Sequence, residues 1–110
     1  MPFPSLDLYV IKHAVIDDAT SGDNEIVAAV AGKQIYVISG QLISAGTMTV
    51  RFESGAGGTA LTGQMNVLAA TGFHLPHNPT GHFWTASGES LNLELSDAIS
   101  ADGWINYIEV

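Results

Sequence analysis

Alternation of apolar and polar residues is the clearest pattern along this chain. Apolar side chains occupy every second position of residues 48–53 and again of residues 91–96. A two-residue period is typical of strands with one buried and one solvent-facing side, so polar positions such as Glu53 are predicted to face solvent. No segment has the 3.6-residue spacing of an amphipathic helix over ten or more positions. The pattern therefore predicts an all-β protein.

Further segments are rich in β-branched, aromatic or alternating apolar residues, and these are residues 6–16, 25–30, 34–44, 65–70, 82–86 and 104–110. Turn residues separate the segments, including Ser21-Gly22-Asp23-Asn24, Gly55-Ala56-Gly57-Gly58 and Asn78-Pro79-Thr80-Gly81. Closely spaced turns without helical crossovers indicate antiparallel pairing. We therefore expect residues 1–110 to form one domain, an antiparallel jelly-roll-like β-sandwich of about eight strands.

Two segments stand out within this scheme. In residues 34–43, Ile35 and Val37 point to one side and Tyr36 and Ile38 to the other, so both faces are apolar. Such a strand is central in a sheet or lies at a subunit junction. Residues 1–5 contain Pro2, Phe3 and Pro4, and prolines disfavour a place in a ladder. They predict an extended N-terminal arm that reaches a neighbour, with a frayed terminus as the alternative.

Charge is scarce and one-sided in this chain. The formal net charge is −8 and only 13% of the residues are charged, compared with about 25% in an average domain. An acidic surface repels phosphate backbones and anionic headgroups, so nucleic acid is not an expected partner. No apolar run is long enough for a membrane span, and we expect no membrane partner. Cysteine is absent, which excludes disulfides and thiolate metal sites.

The 35 residues from 54 to 88 contain no Asp, Glu, Lys or Arg, and their only titratable groups are His74, His77 and His82. Interface centres are depleted of charge, so we interpret this segment as part of a subunit interface. The alternative is a set of strands and loops that neutral polar groups keep solvated. Pro76 and Pro79 place the first two histidines in a predicted loop. Around a symmetry axis, protonation of the three would weaken an assembly.

The sequence contains no good match to a known metal-binding or phosphate-binding motif. The histidine spacing matches no familiar metal-ligand pattern, and no carboxylate lies among the three, so no metal site is expected. Asp17, Asp18, Asp23, Asn24 and Glu25 offer hard oxygens for calcium but lack the order of a calcium loop; we interpret them as a turn with local Asx hydrogen bonds. Gly55–Gly58 is predicted to be a hairpin loop rather than a phosphate-binding loop, because no Lys-Ser/Thr pair and no helix follow it.

No catalytic apparatus is recognisable. The chain has no Gly-x-Ser-x-Gly elbow and no cysteine for a Cys/His pair. Glu89 and Glu94 could form a glycosidase-type pair only if the fold brought them together. Phe83, Trp84, Trp104 and Tyr107 are predicted to fill the core or an interface, with a sugar-binding platform as the alternative. We therefore expect a non-enzymatic protein without a cofactor.

The order and spacing of several short motifs resemble small virion proteins of tailed bacteriophages. The motifs are Ser21-Gly22-Asp23-Asn24, residues 27–35, Val50-Arg51-Phe52 with Ser54-Gly55, Leu61-Thr62-Gly63, residues 85–93, Gly103 and Tyr107-Ile108-Glu109-Val110. The resemblance implies a jelly-roll-like sandwich that assembles, commonly as a trimer, into a phage particle. Capsid decoration, or cement, proteins are of this kind, and similar domains occur in tails and head fibres. The resemblance implies no catalytic residues.

These observations lead to a functional hypothesis. We expect a homotrimeric cement protein that is made in the host cytoplasm and bridges major capsid protein subunits on the outer capsid surface of the virion. Its predicted trimer contacts are Tyr36, Ile38, His74, His77, His82, Phe83 and Trp84, and its predicted capsid-contact arm includes Pro2, Phe3 and Pro4. The alternative is a tail-fibre or baseplate module that binds host surface carbohydrate through exposed aromatic rings.

Overall fold

A computed structural model describes residues 9–110 of the chain, which form ten β-strands. The strands are β1 (Lys12–Asp18), β2 (Gly22–Val27), β3 (Ile35–Ser44), β4 (Met48–Ser54), β5 (Thr59–Ala60), β6 (Met65–Val67), β7 (Thr71–Leu75), β8 (Phe83–Trp84), β9 (Leu91–Leu95) and β10 (Ala101–Glu109). All pairings between them are antiparallel. Within the described residues no helix is long and apolar enough to cross a membrane.

The strands form two sheets that pack face to face. Sheet A has the order β1-β10-β3-β7, with β8 also paired to β3, and sheet B has the order β2-β9-β4-β5, with β6 also paired to β4. Because β7 and β8 share one position beside β3, and β5 and β6 share one beside β4, the sandwich has eight strand positions. This is the jelly-roll order, and it confirms the predicted fold class.

The two segments with a strict two-residue period form β4 and β9, the central strands of sheet B. The apolar side chains of β4 and β9 point inward, and the core side chains below 2% exposure include Val50, Phe52, Leu91, Leu93 and Leu95. Phe52 packs against Phe83 with ring centroids 4.9 Å apart and against Phe73 at 6.4 Å. Because Phe73 and Phe83 belong to sheet A, this aromatic cluster joins the two sheets.

Strand β3 is central in sheet A, as its two apolar faces predict. It pairs with β10 on one side and with β7 and β8 on the other. The register with β10 shifts between Asn106 and Tyr107, so Ile38 is an extra residue in a β-bulge. Its carbonyl oxygen accepts a hydrogen bond from the backbone N–H of Asn78, 2.8 Å away. The loop after β7 is therefore fastened to the bulge.

The four short strands all lie on the same side of the sandwich. Strands β5 and β6 flank β4 in sheet B, and β7 and β8 flank β3 in sheet A, whereas β1 and β2 form the opposite edges. These four strands belong to the uncharged segment 54–88. We call residues 54–88 the charge-free flank. A sequence segment without formal charge thus becomes one continuous side of the molecule.

Several local predictions are wrong. His74 lies in strand β7, not in a loop, because the extended backbone begins five residues before Pro76. The predicted turn at residues 21–24 is largely the start of β2, so the chain turns at residues 19–21 and the strand ends at Val27. Strands β5 and β7 were not predicted. The proposed arm with Pro2, Phe3 and Pro4 lies outside the described residues.

Candidate functional site

The charge-free flank is largely exposed. Most of its loop residues and the outward positions of its strands are accessible to solvent. The formal charges of the described chain lie elsewhere, on β1, β2, β4, β9, β10 and the loops that adjoin them. The residues of the flank carry no formal charge, a depletion that they share with interface centres, and the carboxylates of Asp23 and Glu89 approach the flank at Gly57 and Gly55 of its hairpin loop.

Aromatic residues mark one end of this flank. Trp84 is 47% exposed, and its ring stacks on that of Tyr36 with centroids 5.1 Å apart and planes inclined by 16°. The stacking follows from register, because Tyr36 of β3 is paired with Trp84 of β8. An open depression of about 280 Å³ lies beside the pair and is lined by Ala60, Leu61, His82, Phe83 and Trp84. It spans the gap between the edges of the two sheets.

The three histidines of the flank occupy different settings. His74 is exposed on β7 opposite Gln41, and His77 is exposed in the following loop. His82 is half-buried, and its Nε2 donates to the carbonyl oxygen of Pro76 at 2.6 Å. No set of three metal-ligating groups in residues 9–110 includes any of these histidines.

The other predicted contact residues differ in accessibility. Tyr36 is half-buried beneath Trp84, whereas Ile38 and Phe83 are buried inside the protomer. Phe83 forms part of the aromatic core cluster and also the floor of the depression. The surface available to a neighbour at this end therefore consists mainly of Trp84, the edge of Tyr36 and the histidine-bearing loop.

The outer face of sheet A carries a second group of exposed apolar side chains. Val15 of β1 is 68% exposed and lies opposite Trp104 of β10 in the strand register. Trp104 stacks on His13 with centroids 6.0 Å apart, and Ile43 of β3 is also exposed. Just before β1, Val10 is 75% exposed. Isolated exposed apolar residues are ordinary, but this group is concentrated on β1 and its neighbours.

The outer face of sheet B is acidic. Asp23 of β2 is paired with Glu94 of β9, and Glu94 is paired with Arg51 of β4. Arg51 donates to Oε2 of Glu53 from Nε at 2.7 Å and contacts both oxygens of Glu94. Asp23, Glu53 and Glu94 each have a carboxylate oxygen within 4.8 Å of the other two. We call Asp23, Glu53 and Glu94 the carboxylate triad.

Glu53 is the exceptional member of the triad. Its alternating position predicted exposure, yet its side chain is fully buried, so that prediction is wrong. The pKa of Glu53 is raised to about 7, mainly by burial and then by the neighbouring Asp23 carboxyl group, while the hydrogen bond from Arg51 opposes the rise. Its Oε1 has no hydrogen-bond partner within residues 9–110. A buried oxygen without a donor is costly for a folded protein.

The acidic residues predicted to cluster around Ser21-Gly22 are divided by the fold. Asp23 joins the triad on sheet B, whereas Asp17 and Asp18 belong to β1 in sheet A. Asn24 is the one that satisfies local backbone, donating from Nδ2 to the carbonyl oxygens of Thr20 and Gly22. The predicted Asx interaction is thus present, within a strand rather than within a turn.

Asp18 is a half-buried acid with one buried, unsatisfied oxygen. Its Oδ2 has no hydrogen-bond partner in the described part of the chain. Burial raises the pKa of Asp18, and the nearby charges of Asp17 and Asp102 add to the rise. Its negative charge is therefore unfavourable in the folded state.

The glycine-rich loop and the two glutamates that the sequence suggested as candidates have structural roles. Gly55–Gly58 connects β4 to β5 as the predicted hairpin loop, with positive φ at Gly55 and Gly57. Glu89 accepts a hydrogen bond from Ser54 Oγ at 2.6 Å, whereas Glu94 faces Arg51. The two glutamates thus have separate partners.

Comparison of the chain with known protein families and with curated proteins found no match. The sequence reasoning identified the charge-free flank and its histidines but missed the carboxylate triad, whose members are far apart in the chain. The outward-facing polar positions of strands β2, β4 and β9 were the available signal in the sequence. Strand order and register were needed to show that three of these positions meet.

Proposed function

We propose that this chain is a non-enzymatic structural protein of a tailed-bacteriophage virion. In this proposal it is a homotrimeric cement protein that is made in the host cytoplasm and decorates the outer capsid surface, where it bridges major capsid protein subunits. The order of its sequence motifs and its jelly-roll sandwich support this choice. No catalytic role or cofactor is part of the proposal.

The observation that carries the proposal is the exposed, charge-free flank. About 25% of the residues of an average soluble domain are charged, whereas none of the 35 residues of this flank is. In an assembly the same side avoids the cost of burying unpaired charges. Apolar area removed from water contributes about 25 cal/mol per Å², less the ordering costs of association.

A cyclic trimer needs two different surfaces that meet head to tail. The charge-free flank is one candidate surface. The apolar group on β1 and β10, which includes the exposed Val15 and the half-buried Trp104, is the second. These surfaces lie on different sides of the sandwich, which favours a ring over a two-fold dimer. The acidic face of sheet B remains available for basic patches of a capsid.

Quantitative mass spectrometry of purified heads and tails tests the location. A cement protein is expected in hundreds of copies on heads, and light scattering of the purified chain should give a trimer mass. A few copies that follow the tail would refute the cement role. Deletion of residues 1–5 should abolish decoration of heads and leave the trimer intact, and full occupancy by the deletant would refute the role of the arm.

A second candidate is a tail-fibre or baseplate module that binds host surface carbohydrate. The specific observation in its favour is Trp84, which is exposed beside the 280 Å³ depression. Exposed aromatic faces are common sugar contacts, but here one face of Trp84 is already covered by Tyr36. Glycan-array binding that is lost in Trp84→Ala would support the tail module, and a head location without glycan binding would exclude it.

A further inference from the structure

Three neighbouring strands each contribute one carboxylate to a single point on sheet B. Asp23 comes from β2, Glu94 from β9 and Glu53 from β4, with oxygens within 4.8 Å of one another. The register fixes this arrangement, since Asp23 is paired with Glu94 and Glu53 is two residues from Arg51, the partner of Glu94. The hairpin loop lies close by, because a Cβ on Gly57 would come within 3.5 Å of Asp23 Oδ2.

Arg51 compensates only part of this negative charge. Both of its contacts with Glu53 reach the same oxygen, Oε2, from Nε at 2.7 Å and from Nη2 at 2.6 Å. Its remaining contacts are to Glu94 at 3.3 and 3.4 Å. One guanidinium therefore faces three carboxylates.

The buried carboxylate of Glu53 has one oxygen without a hydrogen-bond donor in the described residues. Glu53 is fully buried, and its Oε1 has no donor within residues 9–110. The Glu53 carboxyl group also lies within hydrogen-bonding reach of the Asp23 carboxylate, which offers no donor when ionised. A buried oxygen held next to two further carboxylates has the surroundings of a ligand to a hard cation.

We propose that the carboxylate triad binds a calcium ion. The ion would be coordinated by Oε1 of Glu53 and by oxygens of Asp23 and Glu94, with water completing its shell on the exposed side of Asp23. Arg51 would remain hydrogen-bonded to Oε2 of Glu53 and so hold that carboxylate in position. One bound ion would then join β2, β9 and β4.

The chemistry of the triad favours calcium over magnesium. Calcium–oxygen bonds of about 2.3–2.6 Å allow two ligand oxygens to lie up to about 5 Å apart, so oxygens that all lie within 4.8 Å of one another can share one calcium ion. Calcium also tolerates the irregular geometry of carboxylates that come from three different strands. Magnesium demands near-ideal octahedral geometry and keeps several waters, which a fully buried Glu53 oxygen does not favour. With three protein carboxylates and no enclosing loop, we expect a dissociation constant of about 10⁻⁴–10⁻³ M.

Thermal unfolding of the purified protein tests the site. Addition of about 5 mM CaCl₂ to EDTA-treated protein is expected to raise Tm by about 5 °C, because an ion that binds only the folded state stabilises it. An equal concentration of MgCl₂ should give a clearly smaller rise. The calcium response should disappear in Glu53→Gln and in Asp23→Asn.

Glu25→Gln is the matched control, since Glu25 lies on the same strand and outer face as Asp23 but outside the triad. It should keep the full calcium response. Circular dichroism in EDTA verifies that each variant is folded. An unchanged Tm of the wild-type protein in calcium would overturn the proposal and assign the unpartnered oxygen to a proton shared with Asp23. An equal rise in wild-type and Glu53→Gln would also overturn it, because that result means general screening of an acidic protein.

Discussion

The ring of Trp84 lies on the ring of Tyr36 at a centroid distance of 5.1 Å, so a half-buried tyrosine supports an exposed tryptophan. The pair is held by strand register, and its Tyr36 ring also approaches the backbone at Gly81, where an added Cβ would come within 3.1 Å of it. Trp84 is thus a rigid aromatic surface rather than a loose side chain. Rigid aromatics are the usual anchors of protein interfaces.

Trp84→Ala is therefore expected to weaken self-association of the chain. If the flank is an interface, removal of its aromatic anchor should raise the dissociation constant by about tenfold or more. Val30→Ala removes another exposed apolar side chain outside the flank and should leave association unchanged. Sedimentation equilibrium measures both. Equal association of Trp84→Ala and the wild-type protein would exclude Trp84 from the interface.

Gly103→Ala should destabilise the protomer by about 1–3 kcal/mol. A Cβ at Gly103 would lie 1.9 Å from the carbonyl oxygen of Gln41, so β10 and β3 would have to separate. Gly63→Ala is the control, because no atom lies within 4 Å of its added Cβ. Urea denaturation should show a lower midpoint for Gly103→Ala alone. Similar midpoints for the two variants would show that the β3–β10 contact is looser than described.

Asp18→Asn is expected to stabilise the protein by about 1 kcal/mol at neutral pH, because it removes the charge of a half-buried carboxylate whose buried Oδ2 has no partner in residues 9–110. The raised pKa of Asp18 sets the sign of the pH dependence. Its neutral form favours folding, so the wild-type protein has this contribution in full below the ordinary value of 3.8 and loses it as pH rises through the raised pKa.

The advantage of Asp18→Asn should therefore vanish in acid and grow toward neutral pH. Thermal unfolding across this range, with Asp97→Asn as an exposed control, gives the comparison. A constant difference in Tm between Asp18→Asn and the wild-type protein at all pH values would contradict the proposed cause.

The strands with a strict two-residue period were predictable from the sequence, and the less regular ones were not. Strands β4 and β9 were predicted because their apolar residues occupy every second position and fill the core. Strand β7 was missed because Pro76 and Pro79 suggested a loop around His74, yet pairing with β3 fixes its backbone. Strand β5 contains only two residues and exists through its pairing with β4.

The candidate sites divide in the same way. The charge-free flank could be predicted, because its residues are contiguous in the chain. The carboxylate triad could not, because Asp23, Glu53 and Glu94 meet only through the order β2-β9-β4. The burial of Glu53 depends on tertiary contacts that override its position in the alternating pattern.

The place of β10 between β1 and β3 has a consequence for how the chain folds. His13 hydrogen-bonds Asn106 across 93 residues of sequence, and the pairing of β3 with β10 spans about as much of the chain as a small domain. Closing such long loops delays folding, since their entropy is lost before the contacts are gained. During synthesis β1 and β3 emerge from the ribosome before β10. The edges of β1 and β3 that pair with β10 therefore stay unpaired until β10 has emerged. Slow folding, and a need for chaperones during heavy expression, follow from this strand order.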